Sequence, residues 1–210
     1  REELGYVSIE HLATRYIDAR CYEIFVSSRR QIYKFVLINK KIQLKETVLL
    51  KEECLGLGLG RKQELLVTGE ENMFILDPVN LEILYQTERE SLPRLLGPAT
   101  EDKNGFIYVA ETIDRYVYEK AKRILIFRKT EELAAEDKES KEKVVWVNGK
   151  TEKVFKLAQI AEINLQGVAQ IGSLVAQDNI LSITTVNSGE SKNNRILQVP
   201  VIRPNGVPDV

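Results

Sequence analysis

The chain has 210 residues, 43% of them hydrophobic and 29% charged, with 30 basic and 31 acidic side chains and a net charge of −1. That balance fits a globular protein with a packed core and offers no basic excess for a nucleic-acid partner. No run of about 18 apolar residues is present to cross a membrane as a helix, and a single histidine leaves the two cysteines short of a zinc site.

The chain opens on Arg1-Glu2-Glu3, which reads as a processed or truncated start and not as a signal peptide. Residues 1–20 are expected to supply a strand that closes the array against the C-terminal segment. His11 has no histidine partner, so Ser-His-Asp and imidazole–metal chemistry lack their parts, and a structural or surface role is expected. Cys21 and Cys54 satisfy either one disulfide or two buried thiols, with free thiols favoured.

A repeated unit begins at Glu23-Ile24-Phe25-Val26-Ser27, followed after a polar break by Gln31-Ile32-Tyr33-Lys34-Phe35-Val36. It recurs at Glu64–Thr68 with Asn72–Leu76, at Phe106–Ala110 with Arg123–Phe127, and at Asn179–Ile183 with Arg195–Val199. The units start at 23, 64, 106 and 179, giving steps of 41, 42 and 73. Four-stranded propeller blades repeat at about 40–45 residues, so the first two steps are one blade each. The third step is either one blade with an insertion of about 30 residues, judged against the blade period, or an additional short blade.

Between these anchors lie further elements. Lys41–Leu50 and Asn80–Tyr85 read as third strands, rich in the residues strands prefer. Gly56-Leu57-Gly58-Leu59-Gly60 lacks the spacing of a dinucleotide loop and precedes a strand, so a tight turn is expected there. Asp77-Pro78 marks a turn, because proline fixes φ and removes a donor. Asp102, Asn104 and Gly105 are expected to form a turn in which side chains cap backbone groups and the glycine takes positive φ. Thr130–Lys143 is the one helical candidate, a short charged helix or loop in an insertion at about 129–143, with too little apolar content for a buried face. Val144–Val147 and Glu152–Leu157 flank Asn148-Gly149, the strongest short hairpin signal, because both turn positions need positive φ.

These elements predict an all-β fold: a β-propeller-like array of four to five blades in a single domain over 1–210, fewer clear blades than a closed ring usually has, so that blades are missing, irregular or completed by another chain. Turn carboxylates at Glu70, Glu71, Asp77, Asp102, Glu111, Asp114 and Asp178 are expected to be mainly solvated. The aromatics Tyr85, Tyr108, Tyr116, Tyr118, Trp146 and Phe155 suit packing between blades or a binding surface.

Two copies resemble NHL-type repeats of six-bladed propellers. One is Gly97-Pro98-Ala99-Thr100-Glu101-Asp102-Lys103-Asn104-Gly105-Phe106-Ile107-Tyr108-Val109-Ala110-Glu111, with a Gly/Asp/Gly run ahead of an "IYVA" strand. The other is Ser188–Val199, with Asn193-Asn194-Arg195-Ile196 at the strand entry. The first two copies lack Asn-Asn-Arg, so the resemblance is centred on 97–127 and 179–199. It implies a propeller and leans toward an extracytoplasmic setting, while the residues themselves leave the compartment open. By analogy with lactonase-like propellers it also implies a calcium ion in the channel, with Glu111 and Asn187 at the inner-strand positions that could face it; calcium needs six to eight oxygen ligands from several blades. The primary functional expectation is a non-enzymatic scaffold with a protein or peptide partner and no required cofactor. The alternative is a calcium-dependent lactonase-like hydrolase.

Overall fold

A computed structural model describes residues 8–87, 96–111, 123–134, 153–164, 171–185 and 195–201. Every regular element among them is a strand. No helix among the described residues is long and apolar enough to cross a membrane.

The strands form antiparallel meanders in chain order. The first meander is β1 (His11–Asp18), β2 (Cys21–Ser28), β3 (Gln31–Ile38) and β4 (Lys41–Leu49), paired in that order. The second is β5 (Gly56–Leu59), β6 (Leu65–Thr68), β7 (Met73–Leu76) and β8 (Ile83–Thr87). The third is β9 (Leu96–Glu101), β10 (Phe106–Glu111), β11 (Arg123–Leu133) and β12 (Phe155–Asn164). The fourth is β13 (Ile171–Gln177), β14 (Ile180–Thr185) and β15 (Arg195–Pro200). Each anchor pair seen in the sequence is the second and third strand of a meander. Each is preceded by a strand that the repeat reading did not include.

The second and third meanders are joined. β12 runs parallel to β8, with Phe155 opposite Tyr85 and Leu157 opposite Thr87, so the eight strands make one sheet with β5 and β9 as its edges. Those edges come back side by side. A Cβ on Gly58 would stand 3.3 Å from the Ala99 carbonyl oxygen, and Thr68 Oγ1 donates to the Gly97 carbonyl at 2.6 Å. The sheet is therefore nearly closed, and glycine in β5 lets one edge approach the other.

Alternation decides where the core lies. In β6 and β7, successive side chains point to opposite faces and all are buried. Leu65, Val67, Phe74 and Leu76 face the first meander, where they meet Ala13, Phe25, Ile32 and Val48. Leu66, Met73 and Ile75 face the third meander and meet Ile107, Val109, Leu125 and Phe127. The other face of the third meander, with Phe106, Tyr108, Ile124 and Ile126, packs on Leu174, Leu181 and Ile183 of the fourth. The result is a stack of four meanders with three apolar interlayers. β1 lies beside β5, β5 beside β9 and β9 beside β13, so the leading strands gather along one edge.

The structure corrects several expectations. Residues 11–18 pair with β2 inside the first meander and do not close a ring with the C-terminal segment. Gly56–Leu59 is a strand, and only Gly60 belongs to the turn, where its N–H donates to the Glu64 carbonyl at 2.8 Å. Thr130–Leu133 continues β11 and does not start a helix: Leu133 lies opposite Phe155, and Thr130 Oγ1 donates to the Lys156 carbonyl at 2.9 Å. The pairing partner outweighs helix propensity there. Phe155–Leu157 has β11 on one edge and β8 on the other. Val144–Val147 and Asn148-Gly149, the first arm and turn of the expected hairpin, lie outside the described residues. The 73-residue step is covered by a third meander whose β11–β12 connection holds residues 134–154.

Two turns match expectation. Asp102 Oδ1 accepts the N–H groups of Asn104 and Phe106 at 2.8 and 3.0 Å, and Gly105 sits at φ 82°. Asp77 Oδ1 accepts the Val79 N–H at 2.7 Å just after Pro78.

Candidate functional site

The first meander has two unlike faces, and the register shows which residues occupy each. Across β1 to β4 the outward rows are Leu12–Val26–Tyr33–Thr47, Thr14–Ile24–Phe35–Leu44 and Tyr16–Tyr22–Leu37–Ile42. None of these positions carries a charge. Most of the large side chains among them lie partly or widely open, with Tyr16 61%, Ile42 63% and Leu12 57% exposed, while Val26 is buried. The rings also order one another: Tyr16 meets Tyr22 edge-on with centroids 5.4 Å apart, and Tyr33 stacks on Phe35 at 6.3 Å.

The covered face carries the charges. Its rows include Ala13–Phe25–Lys34–Glu46 and Arg15–Glu23–Val36–Gln43. Glu23, buried between meanders, takes Arg15 Nε at 2.6 Å on one oxygen and Lys34 Nζ at 2.9 Å on the other. Lys34 Nζ also donates to the Val79 carbonyl at 2.9 Å, tying the first meander to the β7–β8 turn of the second. A half-buried antiparallel sheet normally places polar residues outward and apolar ones inward. Here the outward rows are the uncharged ones. Exposed apolar faces are the surfaces on which proteins tend to meet other molecules. The sequence carried the signal in the phase of alternation: Tyr22, Ile24 and Val26 are interleaved with Glu23, and Tyr33, Phe35 and Leu37 with Lys34.

The far end of the stack presents a second uncharged face. The β13–β15 register puts Ser173, Val175, Ser182, Thr184, Ile196 and Gln198 outward. Val175 is 53% and Ile196 70% exposed. This surface is smaller-grained than that of the first meander, with hydroxyls near its centre.

The remaining titratable groups are tied into structure. Lys129 Nζ, on β11, pairs with Glu64 and donates to Glu101 Oε1 at 3.1 Å, 5.9 Å above the Tyr85 ring centroid. Burial alone would lower this ammonium, but the two carboxylates overcome it and hold it above the ordinary lysine range. Glu101 Oε2 accepts the Arg61 N–H at 2.7 Å, and a Cβ on Gly60 would stand 2.5 Å from that oxygen. Glu52 accepts the Glu71 N–H at 2.5 Å and Asn72 Nδ2 at 2.7 Å, fastening the β6–β7 turn. Burial raises its carboxyl above the usual range despite those bonds. Cys21 and Cys54 are both free, and burial pushes the Cys54 thiol up. His11 sits in β1 opposite Ser27.

Of the residues the family resemblance suggested for calcium, Glu111 ends β10 opposite Leu96, and Asn187 lies outside the described residues. Among the described residues no three His, Cys, Asp or Glu side chains are grouped to hold a metal ion. Asp102 is spent on its turn and on the Tyr108 hydroxyl, 2.9 Å away. Tyr108 is buried and Tyr85 pairs with Phe155 at 5.8 Å, both uses that pack the interior. Tyr116, Tyr118, Trp146 and Asp114 lie outside the described residues.

No protein-family model matches the chain, and no curated protein does. Among solved structures it is similar to a protein of unknown function from Bacteroides caccae, at 13% identity and a TM-score of 0.48, covering 90% of this chain and 60% of that one. It is also similar to a glutaminyl cyclase from Myxococcus xanthus, at 14% identity and a TM-score of 0.40, covering 87% and 69%. A luciferin-regenerating enzyme is similar at 12% identity and a TM-score of 0.46, covering 90% and 60%. The chain thus spans about three-fifths of the B. caccae protein and of the luciferin-regenerating enzyme.

Proposed function

We propose that the chain is a propeller-like, non-enzymatic scaffold that engages a protein through the outer face of its first meander, each meander serving as one blade. The observation that supports this is the placement of charge on β1–β4, with Arg15, Glu23 and Lys34 on the covered face and uncharged residues along the three outward rows. Burying the outward face releases water from apolar and aromatic surface, at about 25 cal/mol per Å2. Tyrosines there supply large, rigid contact area of the kind that dominates binding energy.

The test is capture from host lysate with the intact chain and with Leu44→Glu. Leu44 is outward and exposed, so glutamate there should leave the interlayer core unchanged. The wild-type chain should recover a stoichiometric protein that the variant does not. Equal recovery by both would place binding elsewhere and overturn the reading.

A further inference from the structure

We infer that the protein engaged by the outer face of β1–β4 is a second copy of this chain, stacked head to tail so that its β13–β15 face continues the series of meanders. This rests on the scaffold reading above and identifies its partner.

Three observations carry it. First, the described interlayers all follow one rule: an uncharged or internally neutralised sheet face is covered by the next meander in line, with the leading strands gathered along one edge. The outer faces of β1–β4 and of β13–β15 meet the same description and lie at the two ends of that series. Second, the faces suit each other in grain. The β1–β4 face is built of Tyr16, Tyr22, Tyr33 and Phe35, and the β13–β15 face has Ser173, Ser182 and Thr184 between Val175 and Ile196. Large residues facing small ones allow layers to interdigitate. Third, the paired outward positions named on the two faces carry no charge, so at those positions the contact sets no like charges against each other and strands no ion in a dry interface.

Area favours two such contacts over one. Strands about 4.8 Å apart, rising about 3.4 Å per residue, give the four-stranded face roughly 500 Å2 in plan. A stable pair of proteins needs about 800 Å2 from each partner. A head-to-tail pair that closes on itself uses both faces of both copies, whereas a pair joined through β1–β4 alone leaves the β13–β15 faces in water. A heterologous contact that closes by rotation makes a ring of this kind.

The experiment is sedimentation equilibrium of the intact chain beside Leu44→Glu, on the first meander, and Val175→Glu, on the fourth, each checked for native β signal by circular dichroism. The wild type should sediment as a dimer at ~50 µM, above the micromolar limit of weak interfaces of standard size. Each variant alone should be monomeric, because each breaks both contacts of a closed pair. An equimolar mixture of the two variants should associate more than either variant alone but more weakly than the wild type, because one of the two contacts is intact; a mixture no more associated than the separate variants would overturn the inference. A monomeric wild type would overturn the inference. So would a Val175→Glu chain that still dimerises while Leu44→Glu does not, since that is the behaviour of two first meanders meeting face to face. A monomeric wild type that still captures a different protein through Leu44 overturns only the second copy and leaves the scaffold reading standing. A monomer that captures nothing overturns both.

Discussion

Glu101, at the end of β9, holds the Lys129 ammonium of β11 at 3.1 Å while its second oxygen takes the Arg61 N–H of the neighbouring meander at 2.7 Å. One carboxylate thus ties together the two edges of the eight-stranded sheet. With Glu101 only 4% exposed in its side chain, the pair is largely shielded from salt. Lys129→Met should destabilise the fold by about 1–3 kcal/mol, less than for a fully buried pair because Lys129 keeps some solvent. Lys129→Met and Glu101→Gln together should cost less than the sum of the single changes. A urea-denaturation double-mutant cycle checks the coupling, and strict additivity would mean the pair contributes nothing. Since the lysine is held above its ordinary range, its contribution is complete below the unfolded lysine pKa and is lost as pH rises through the higher folded value.

The Asp102 carboxylate caps Asn104 and Phe106 and accepts the Tyr108 hydroxyl, all within the third meander. Asp102→Ala strands two backbone donors and one phenol, and should cost about 2–4 kcal/mol. Tyr108→Phe removes one donor from a carboxylate that keeps its backbone bonds, and should cost about 1–2 kcal/mol. Thermal unfolding of both variants tests the order. A milder loss for Asp102→Ala than for Tyr108→Phe would contradict this role for the turn.

Glu23 bridges Arg15 and Lys34 in the first interlayer. Glu23→Ala leaves Lys34 buried with, among the described residues, the Val79 carbonyl as its hydrogen-bond acceptor. A loss of about 2–4 kcal/mol is expected, and Lys34→Met in the same background should restore part of it. The denaturation midpoints of the single and double variants decide this.

Glu52 gives a pH signature of opposite sign to the usual carboxylate. Burial raises its folded pKa above the ordinary glutamate value, so the folded state binds a proton more tightly than the unfolded chain. Stability attributable to this group therefore rises as pH falls through the folded value toward the unfolded one. Wild type should gain on Glu52→Gln between pH 7 and pH 5, measured as the difference in their denaturation midpoints. A gain for the variant over that interval would mean that the bonds from Glu71 and Asn72 outweigh desolvation.

Much of the fold was legible in short runs of residues. Anchors such as Glu64–Thr68 with Asn72–Leu76 are short, dense apolar runs separated by a polar break, and the structure pairs them as β6 and β7. The leading strands were not legible. β5 is Gly-Leu-Gly-Leu, in which Gly58 serves the approach of β9, a tertiary demand with no local signature. The helical reading of Thr130 onward failed because the acids and alanine there satisfy helix propensity, while β12, more than twenty residues further along, supplies the pairing that extends β11. The separation of two unlike faces could have been found, since Tyr22-Glu23-Ile24 and Tyr33-Lys34-Phe35 already divide charged from apolar residues by phase. What alternation does not give is which phase points to the core, because both faces of this sheet are apolar enough to be covered.

Hydroxyl-radical footprinting of Tyr16, Tyr22 and Leu44 across a protein dilution series tests most directly whether the outer face of β1–β4 is an interface between copies of this chain. The expected result is strong protection of all three at high concentration, lost together on dilution, with Val79, exposed on the β7–β8 turn, reacting alike throughout. Uniform reactivity of the three at every concentration, at rates matching their openness in the isolated chain, would contradict it.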